Sequence, residues 1–95
     1  MREYMKQIVY DGSGLLIGKN DKGSVIIGQN GEWVVLDRRD ISSIGLCLSE
    51  QKEMGVFDGF NFSKKQSDLF INQDGDTVSM DRDIFQQYLQ CYPSI

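Results

Sequence analysis

Residues 69 to 85 read LFINQDGDTVSMDRDIF, and this stretch contains the signals that decide the fold. Two short apolar runs, 69 to 71 and 78 to 80, flank the pair Asp74-Gly75. An Asp-Gly pair between apolar runs is among the strongest local signals of a β-hairpin. After Asp81 the apolar residues change to helical spacing. The stretch therefore predicts a hairpin that leads into a helix.

The acids around Gly75 also suggest a calcium loop of the EF-hand type. When Gly75 is placed at the glycine position of such a loop, Phe70 falls where the first carboxylate is required, and Asp81 falls where a glutamate is usual. The preceding residues, SDLFI, are typical of a strand rather than of an entering helix. We therefore expect the hairpin, with no metal site and no cofactor.

Similar turn signals recur along the chain and predict a meander of short strands. The turn pairs lie at residues 11 to 14, 22 to 23, 30 to 31, 58 to 59 and 74 to 75. Apolar or alternating segments between them predict strands near residues 4 to 10, 15 to 17, 25 to 27, 33 to 36, 44 to 48, 60 to 62, 69 to 71 and 78 to 80. The segment 33 to 36 is apolar on both faces, which predicts a central or covered strand. The segment 44 to 48 is assigned from Ile44, Leu46 and Leu48, which recur at period two.

The end of the chain predicts one amphipathic helix. Asp81 can cap its first turn, Asp83 lies near its positive end, and Pro93 stops it. Its apolar face is expected to contain Ile84, Phe85, Tyr88, Leu89, Cys91 and Tyr92.

These elements predict a single α+β domain over residues 1 to 95, consisting mainly of antiparallel β-structure. We expect a small bent sheet or barrel of about 6 to 7 short strands closed by the C-terminal helix. This order of elements resembles the pleckstrin-homology-like superfold in architecture only. An open sheet with the helix across one face is the alternative. No internal repeat is evident.

The composition predicts a soluble globular protein. Hydrophobic residues make up 40% of the chain and charged residues 25%. The start has no apolar run of the kind found in signal peptides, and no segment has the ~20 apolar residues of a membrane span. We therefore expect a cytoplasmic protein that does not contact membranes. Cys47 and Cys91 are expected to be buried thiols, with a disulfide or redox pair as the alternative.

The negative charge is concentrated in the last third of the chain. The net charge is −4, and residues 66 to 95 contain five aspartates and one arginine, which account for all of it because residues 1 to 65 contain nine acids and nine bases. Binding to nucleic acids depends on clustered lysine and arginine. Nucleic acid is therefore not the expected partner.

An enzyme is not expected, because the usual catalytic parts are missing. The chain has no histidine, and its two cysteines form no CxxC pair. Asp37 and Asp40 flank two arginines, and we interpret this DRRD sequence as a charged strand end or turn. A hydrolase that uses aspartate carboxylates is the remaining enzyme alternative.

The leading functional hypothesis is a small acidic inhibitor, of the immunity-protein or antitoxin kind, that covers the basic active site of a nuclease or toxin. Its expected contacts are Asp74, Asp76, Asp81 and Asp83, which lie within ten residues of one another. A rigid acidic surface could associate rapidly with such a partner in a salt-dependent manner.

The alternative hypothesis is an adaptor or assembly module. A free sheet edge can bind a peptide or a second copy of the chain, which includes a homodimer. Phe57 and Phe60, in the aromatic stretch GVFDGFNFS, are its expected anchors, although this stretch could instead fill the core.

Overall fold

The computed structural model describes residues 5 to 90, and within this range the chain forms eight strands and two α-helices. The first half contains β1 (Gln7–Gly12), β2 (Leu15–Lys19), β3 (Val25–Gln29), β4 (Glu32–Leu36) and α1 (Arg38–Ser49). The second half contains β5 (Met54–Phe57), β6 (Phe60–Lys65), β7 (Asp68–Gln73), β8 (Asp76–Asp81) and α2 (Arg82–Phe85), which continues as a π-helical turn (Gln86–Gln90).

The strands form two separate antiparallel sheets, in the orders β1-β2-β3-β4 and β5-β6-β7-β8. The turn signals are confirmed, because Asn30-Gly31 joins β3 to β4 and Asp74-Gly75 joins β7 to β8. The φ angles are 53° and 79° at the first turn and 54° and 86° at the second. Both residues of a type I′ hairpin turn require positive φ, and Asn, Asp and Gly adopt it at low cost.

The predicted strand over residues 44 to 48 is wrong, because these residues belong to α1. The buried positions of this helix are Ile41, Ile44, Gly45 and Leu48, which follow helical spacing, whereas Leu46 is exposed. The DRRD sequence starts this helix: the Asp37 carboxylate accepts a hydrogen bond from the Asp40 N–H at 2.9 Å, and Asp40 accepts from the Asp37 N–H at 3.1 Å. This reciprocal capping box satisfies two free N–H groups of the first turn.

Partial burial changes the pKa of Asp40 in this capping box. Desolvation raises the pKa of Asp40 above the ordinary value of an aspartate, although the hydrogen bond from the Asp37 backbone acts in the opposite direction. The two aspartates of the DRRD sequence therefore serve to cap α1.

The C-terminal helix begins as predicted, because Asp81 is the N-cap and accepts a hydrogen bond from the Asp83 N–H. Phe85 and Leu89 are fully buried, and Ile84 and Tyr88 pack against the core. Cys91, Tyr92 and Pro93 lie outside the described residues, so their predicted roles are not assessed. Cys47 is partly buried beside the core.

One hydrophobic core joins the two sheets and both helices. It contains buried residues from every strand except β1 and β5, together with Ile41, Ile44 and Leu48 of α1 and Phe85 of α2. Val9 and Tyr10 of β1 and Phe57 of β5 pack against it from the side.

The two halves of the chain are an internal repeat that the sequence analysis did not detect. Each half contains four antiparallel strands followed by a helix. With a shift of 44 residues (73 minus 29), residues 25 to 38 align with residues 69 to 82. The identical pairs are Ile27 and Ile71, Gln29 and Gln73, Gly31 and Gly75, Val34 and Val78, Asp37 and Asp81, and Arg38 and Arg82.

Side chains, rather than a backbone ladder, join the two halves where β4 meets β8. The Gln73 carboxamide accepts a hydrogen bond from the Val35 N–H at 2.8 Å and donates one to the Val35 carbonyl at 2.7 Å. Its repeat equivalent, Gln29, does the same with the N–H and carbonyl of Ser79, at 2.9 Å for each bond. A carboxamide has the donor and acceptor of a peptide group. Each glutamine side chain therefore forms the two hydrogen bonds that one residue of a neighbouring strand would form.

Two carboxylates complete this junction in the same reciprocal manner. Asp76 accepts from the Trp33 N–H at 2.9 Å, and Glu32 accepts from the Thr77 N–H at 2.6 Å. Asp76 and Glu32 occupy equivalent positions in the repeat. The contact between the halves is therefore isologous, like that of a two-fold dimer.

The predicted barrel of 6 to 7 strands closed by one helix is not found. Residues 5 to 90 form two four-stranded sheets and no closed barrel. A further helix, α1, connects the two sheets in the chain. The strand at 33 to 36 is not central, because β4 ends its sheet, but its outer edge is covered by the junction. The predicted α+β class with antiparallel strands is confirmed, with two four-stranded sheets in place of one sheet.

The substitution Gln73→Glu tests the junction, because it keeps the shape of the side chain but removes the donor to the Val35 carbonyl. We expect a loss of about 2 to 4 kcal/mol in the free energy of unfolding at pH 7, because a carboxylate then faces a carbonyl oxygen. A protonated carboxyl can donate, so its pKa in the folded state should be raised above the ordinary ~4.3 of a glutamate. Stability relative to the parent should then be highest below pH ~4 and fall as pH rises through the raised pKa.

Chemical denaturation across pH measures this effect. Gln7→Glu is the matched control, since Gln7 is exposed on β1, and it should change stability by less than about 0.5 kcal/mol. Equal stability of the two variants at every pH would contradict the role of Gln73.

Candidate functional site

The hairpin tip at Asp74 is an ordinary turn between two strands and not an EF-hand loop. β7 enters it and β8 leaves it, so the entering helix of a calcium loop is not present at this point. Within residues 5 to 90, no three side chains among histidine, cysteine, aspartate and glutamate are placed to hold a metal ion.

The four aspartates of the predicted acidic surface are not brought together. Asp74 lies in the turn before β8 and Asp76 at its first position, whereas Asp81 and Asp83 lie at its end and on the first turn of α2. Asp76 and Asp81 are five strand positions apart, about 17 Å at the usual rise per residue. One small basic site could not contact all four carboxylates.

The four aspartates also differ in what they already bind. Asp76 is partly buried and holds the Trp33 N–H in the junction. Asp81 caps α2 through the Asp83 N–H, and both residues are exposed. Asp74 is exposed at the turn. Asp76 therefore has a structural use that the sequence pattern alone did not indicate.

Of the two aromatic residues proposed as anchors, Phe60 is buried, with 5% of its surface exposed. Phe57 is partly buried, and its ring stacks on Phe60 at a centroid distance of 4.9 Å and lies 6.2 Å from the ring of Phe62. Gly55 allows this packing, because a Cβ atom there would be 2.7 Å from the Phe62 ring. The expectation of an exposed aromatic anchor is corrected for Phe60, since a buried side chain offers a partner no surface.

The most exposed apolar side chains lie instead on β5. Met54 is 65% exposed and Val56 is 78% exposed, and both point away from the core on the same side of the strand. Their cross-strand neighbours continue this outer face of the second sheet. The central part of this face consists of Met54, Val56, Asn61, Ser63, Phe70, Asn72, Thr77 and Ser79, all of them uncharged, and the charged residues Lys65, Asp68 and Asp81 lie at one end of the same face.

β5 also presents free backbone groups. Among the strands of the described range, it pairs only with β6 and ends the sheet. The Lys64 N–H donates to the Glu53 carbonyl, and the register places Gly55 opposite Phe62. Because backbone groups of a strand point alternately to its two sides, Met54 and Val56 direct their N–H and C=O groups away from β6. The same two residues therefore expose both apolar side chains and unpaired backbone groups at one edge.

The equivalent outer face of the first sheet is covered by the chain itself. Ile26, which is equivalent to Phe70, is fully buried. The Trp33 ring lies directly on Gly28, and the Met5 thioether lies on Gly18. In the second sheet Thr77 takes the place of Trp33, and Phe70 remains 36% exposed. Within residues 5 to 90, the outer face of the first sheet is therefore covered by side chains of its own half, and that of the second sheet is more exposed.

No catalytic arrangement is evident in the described part of the chain. A depression near the C-terminal end of α1 is lined by residues that include Lys52, Glu53, Lys64 and Arg82. This mixture of charges is typical of a solvated surface. None of the described helices is long and apolar enough to cross a bilayer.

β5 was not predicted from the sequence, because it is only four residues long and follows the charged stretch SEQKE. The available signal was the alternation of Met54 and Val56 with Gly55 and Phe57. The glutamines of the junction were also missed, and their signal was the identical spacing of Gln29 and Gln73 before two turns.

Two matched substitutions separate the structural aspartate from its exposed neighbour. Asp76→Ala should lower the free energy of unfolding by about 1 to 3 kcal/mol, because it leaves the Trp33 N–H without its acceptor. Asp74→Ala should change it by less than about 1 kcal/mol, since this side chain is exposed. Thermal and urea unfolding measure both variants, and equal losses would show that the Asp76 bond adds nothing to stability.

Comparisons of the chain with protein-family models, with curated proteins and with solved structures found no match. The candidate site therefore rests on the geometry of the β5 edge and the outer face beside it.

Proposed function

We propose that this chain is a non-enzymatic protein-binding module that binds an extended strand of its partner along the free edge of β5. The observation that carries this proposal is the coincidence of free backbone groups and exposed apolar side chains at Met54 and Val56. In such strand addition, the backbone hydrogen bonds supply affinity and the alternate side chains supply specificity.

The surroundings of β5 support this choice of edge. Natural edge strands are usually protected by charges, proline or bulges, or are covered. β1, the other outer edge strand, has a bulge between Ile8 and Tyr10 and a charge at Asp11. β5 consists of Met-Gly-Val-Phe and has none of these devices. β4 and β8 cover each other through the junction.

An acidic inhibitor remains a second proposal in a narrower form. The tips Asp58-Gly59 and Asp74-Gly75 lie at the same end of the second sheet, about two strand spacings or 10 Å apart. Asp58 and Asp74 are both exposed, which favours a basic partner that contacts these two tips. Asp81 and Asp83, at the opposite end, would contribute only to long-range attraction.

Affinity capture with three forms of the tagged chain tests the main proposal. The parent and Ile8→Lys should retain the same partner, because Ile8 is also exposed (57%) but lies on the protected edge. Val56→Lys should lose that partner, because the substitution places a charge on the free edge of β5. A partner bound through backbone and apolar contacts should survive a wash at high salt.

A different pattern of capture would contradict binding at the β5 edge. A partner that Val56→Lys retains, but that high salt or the paired change Asp58→Lys with Asp74→Lys releases, would support the acidic inhibitor instead.

A further inference from the structure

We infer that the strand bound by β5 is β5 of a second copy of this chain, so that two copies form a symmetric dimer. This inference rests on the proposed function, because it names the partner for the same edge. Antiparallel pairing of two identical strands is isologous, which is the usual symmetry of homodimers. It would join the two second sheets into one sheet of eight strands.

The free backbone groups restrict the register of this pairing. Met54 and Val56 direct their N–H and C=O groups outward, so a hydrogen-bonded pair must form between these outward residues. A two-fold axis at Gly55 places Met54 of each copy opposite Val56 of the other. The two exposed apolar pairs then lie on the same outer face and cover each other.

Charge complementarity selects this register over its neighbours. With the axis at Gly55, Lys52 of one copy lies opposite Asp58 of the other, and this pair occurs twice. An axis at Met54 would place Glu50 opposite Asp58 and Lys52 opposite Val56, and an axis at Val56 would place Met54 opposite Asp58. Of the three registers, only the one about Gly55 pairs Met54 with Val56 and also pairs opposite charges, Lys52 with Asp58; on the inner face it places Glu53 opposite Phe57.

Lys52 is available for this pairing. Its ammonium group lies 3.3 Å from the Glu50 carboxylate, but the two side chains are 58% and 50% exposed. Exposed ion pairs of this kind contribute little to stability, so the side chain can exchange one carboxylate for another at small cost.

The close approach of two strands at Gly55 is also sterically favourable. Directly opposite residues of a non-hydrogen-bonded pair have their Cα atoms only about 4.5 Å apart. A glycine at this point has no side chain to accommodate, and Met54 and Val56 fill the space on either side. Because a strand of four residues buries less surface than a standard interface, we expect a reversible dimer that forms with rising concentration.

Analytical ultracentrifugation of the purified full chain, from about 5 to 500 µM, tests the inference over the range expected for a small interface. The parent and Ile8→Lys should change from one copy to two over this range. Val56→Lys should remain a monomer at all concentrations. Circular dichroism should show that each variant is folded, since Ile8 and Val56 are both exposed.

A charge exchange tests the register and does not depend on Val56. Lys52→Asp and Asp58→Lys should each raise the dissociation constant at least threefold, because each places like charges opposite one another. The double variant should restore the parent value, since it reverses both members of each pair. Failure of the double variant to restore dimerisation would contradict the Gly55 register.

The results distinguish this inference from the proposed function. A parent that stays monomeric throughout, but captures a different protein that Val56→Lys loses, overturns the homodimer and leaves the proposed function in place. A monomeric parent whose partners all persist with Val56→Lys overturns both. Dimerisation of Val56→Lys with the affinity of the parent overturns the assignment to β5.

Discussion

Gln29 and Gln73 each hold the backbone of a strand in the opposite half of the chain through both ends of their carboxamides. The rest of the structure depends on this constraint. An antiparallel sheet leaves unpaired N–H and C=O groups at each edge, and burying them without partners costs free energy. The glutamines supply those partners at β4 and β8. The two sheets can therefore share one core without a continuous ladder between them.

This arrangement also determines which edges of the two sheets stay open for the proposed strand binding. Because β4 and β8 cover each other, the outer edges of the two sheets are β1 and β5. β1 and β5 occupy equivalent edge positions in the two halves, yet their sequences differ. The first half covers its outer face with Trp33 and Met5 and has a bulge in β1. The second half has Thr77 in place of Trp33, and β5 has neither a bulge nor a charge. This difference between two equivalent halves is the strongest support for the proposed binding edge at β5.

Local features of the fold could be predicted from the sequence. The Asn-Gly and Asp-Gly turns require positive φ, which few other residue pairs adopt, and both hairpins formed as expected. The helix after Asp81 was also predicted, because its cap and its apolar spacing agree. The first helix was misassigned because Ile44, Leu46 and Leu48 recur at period two like a strand, whereas the buried face of the helix contains Ile41, Ile44, Gly45 and Leu48.

Features that depend on distant contacts could not be predicted in this way. Asp74 and Asp76 have the same chemistry and lie two residues apart, and only the position of Trp33 in space makes one of them structural. Phe57 and Phe60 were both expected anchors, and only the direction of β5 and β6 shows that Phe60 is buried and that the exposed side chain on β5 is Val56. The spacing shared by Gln29 and Gln73 was present in the sequence, but its meaning requires the two halves to face each other.

Amide hydrogen exchange in a dilute solution of the parent chain is the most direct test of this account, because it reports on the junction and the free edge together. The N–H groups of Val35 and Ser79, which only glutamine side chains protect, should exchange as slowly as ladder amides such as those of Ile27 and Ile71. The outward N–H groups of Met54 and Val56 should exchange rapidly. If Val35 and Ser79 exchanged as fast as Val56, the glutamines would not join the two halves, and the account would be contradicted.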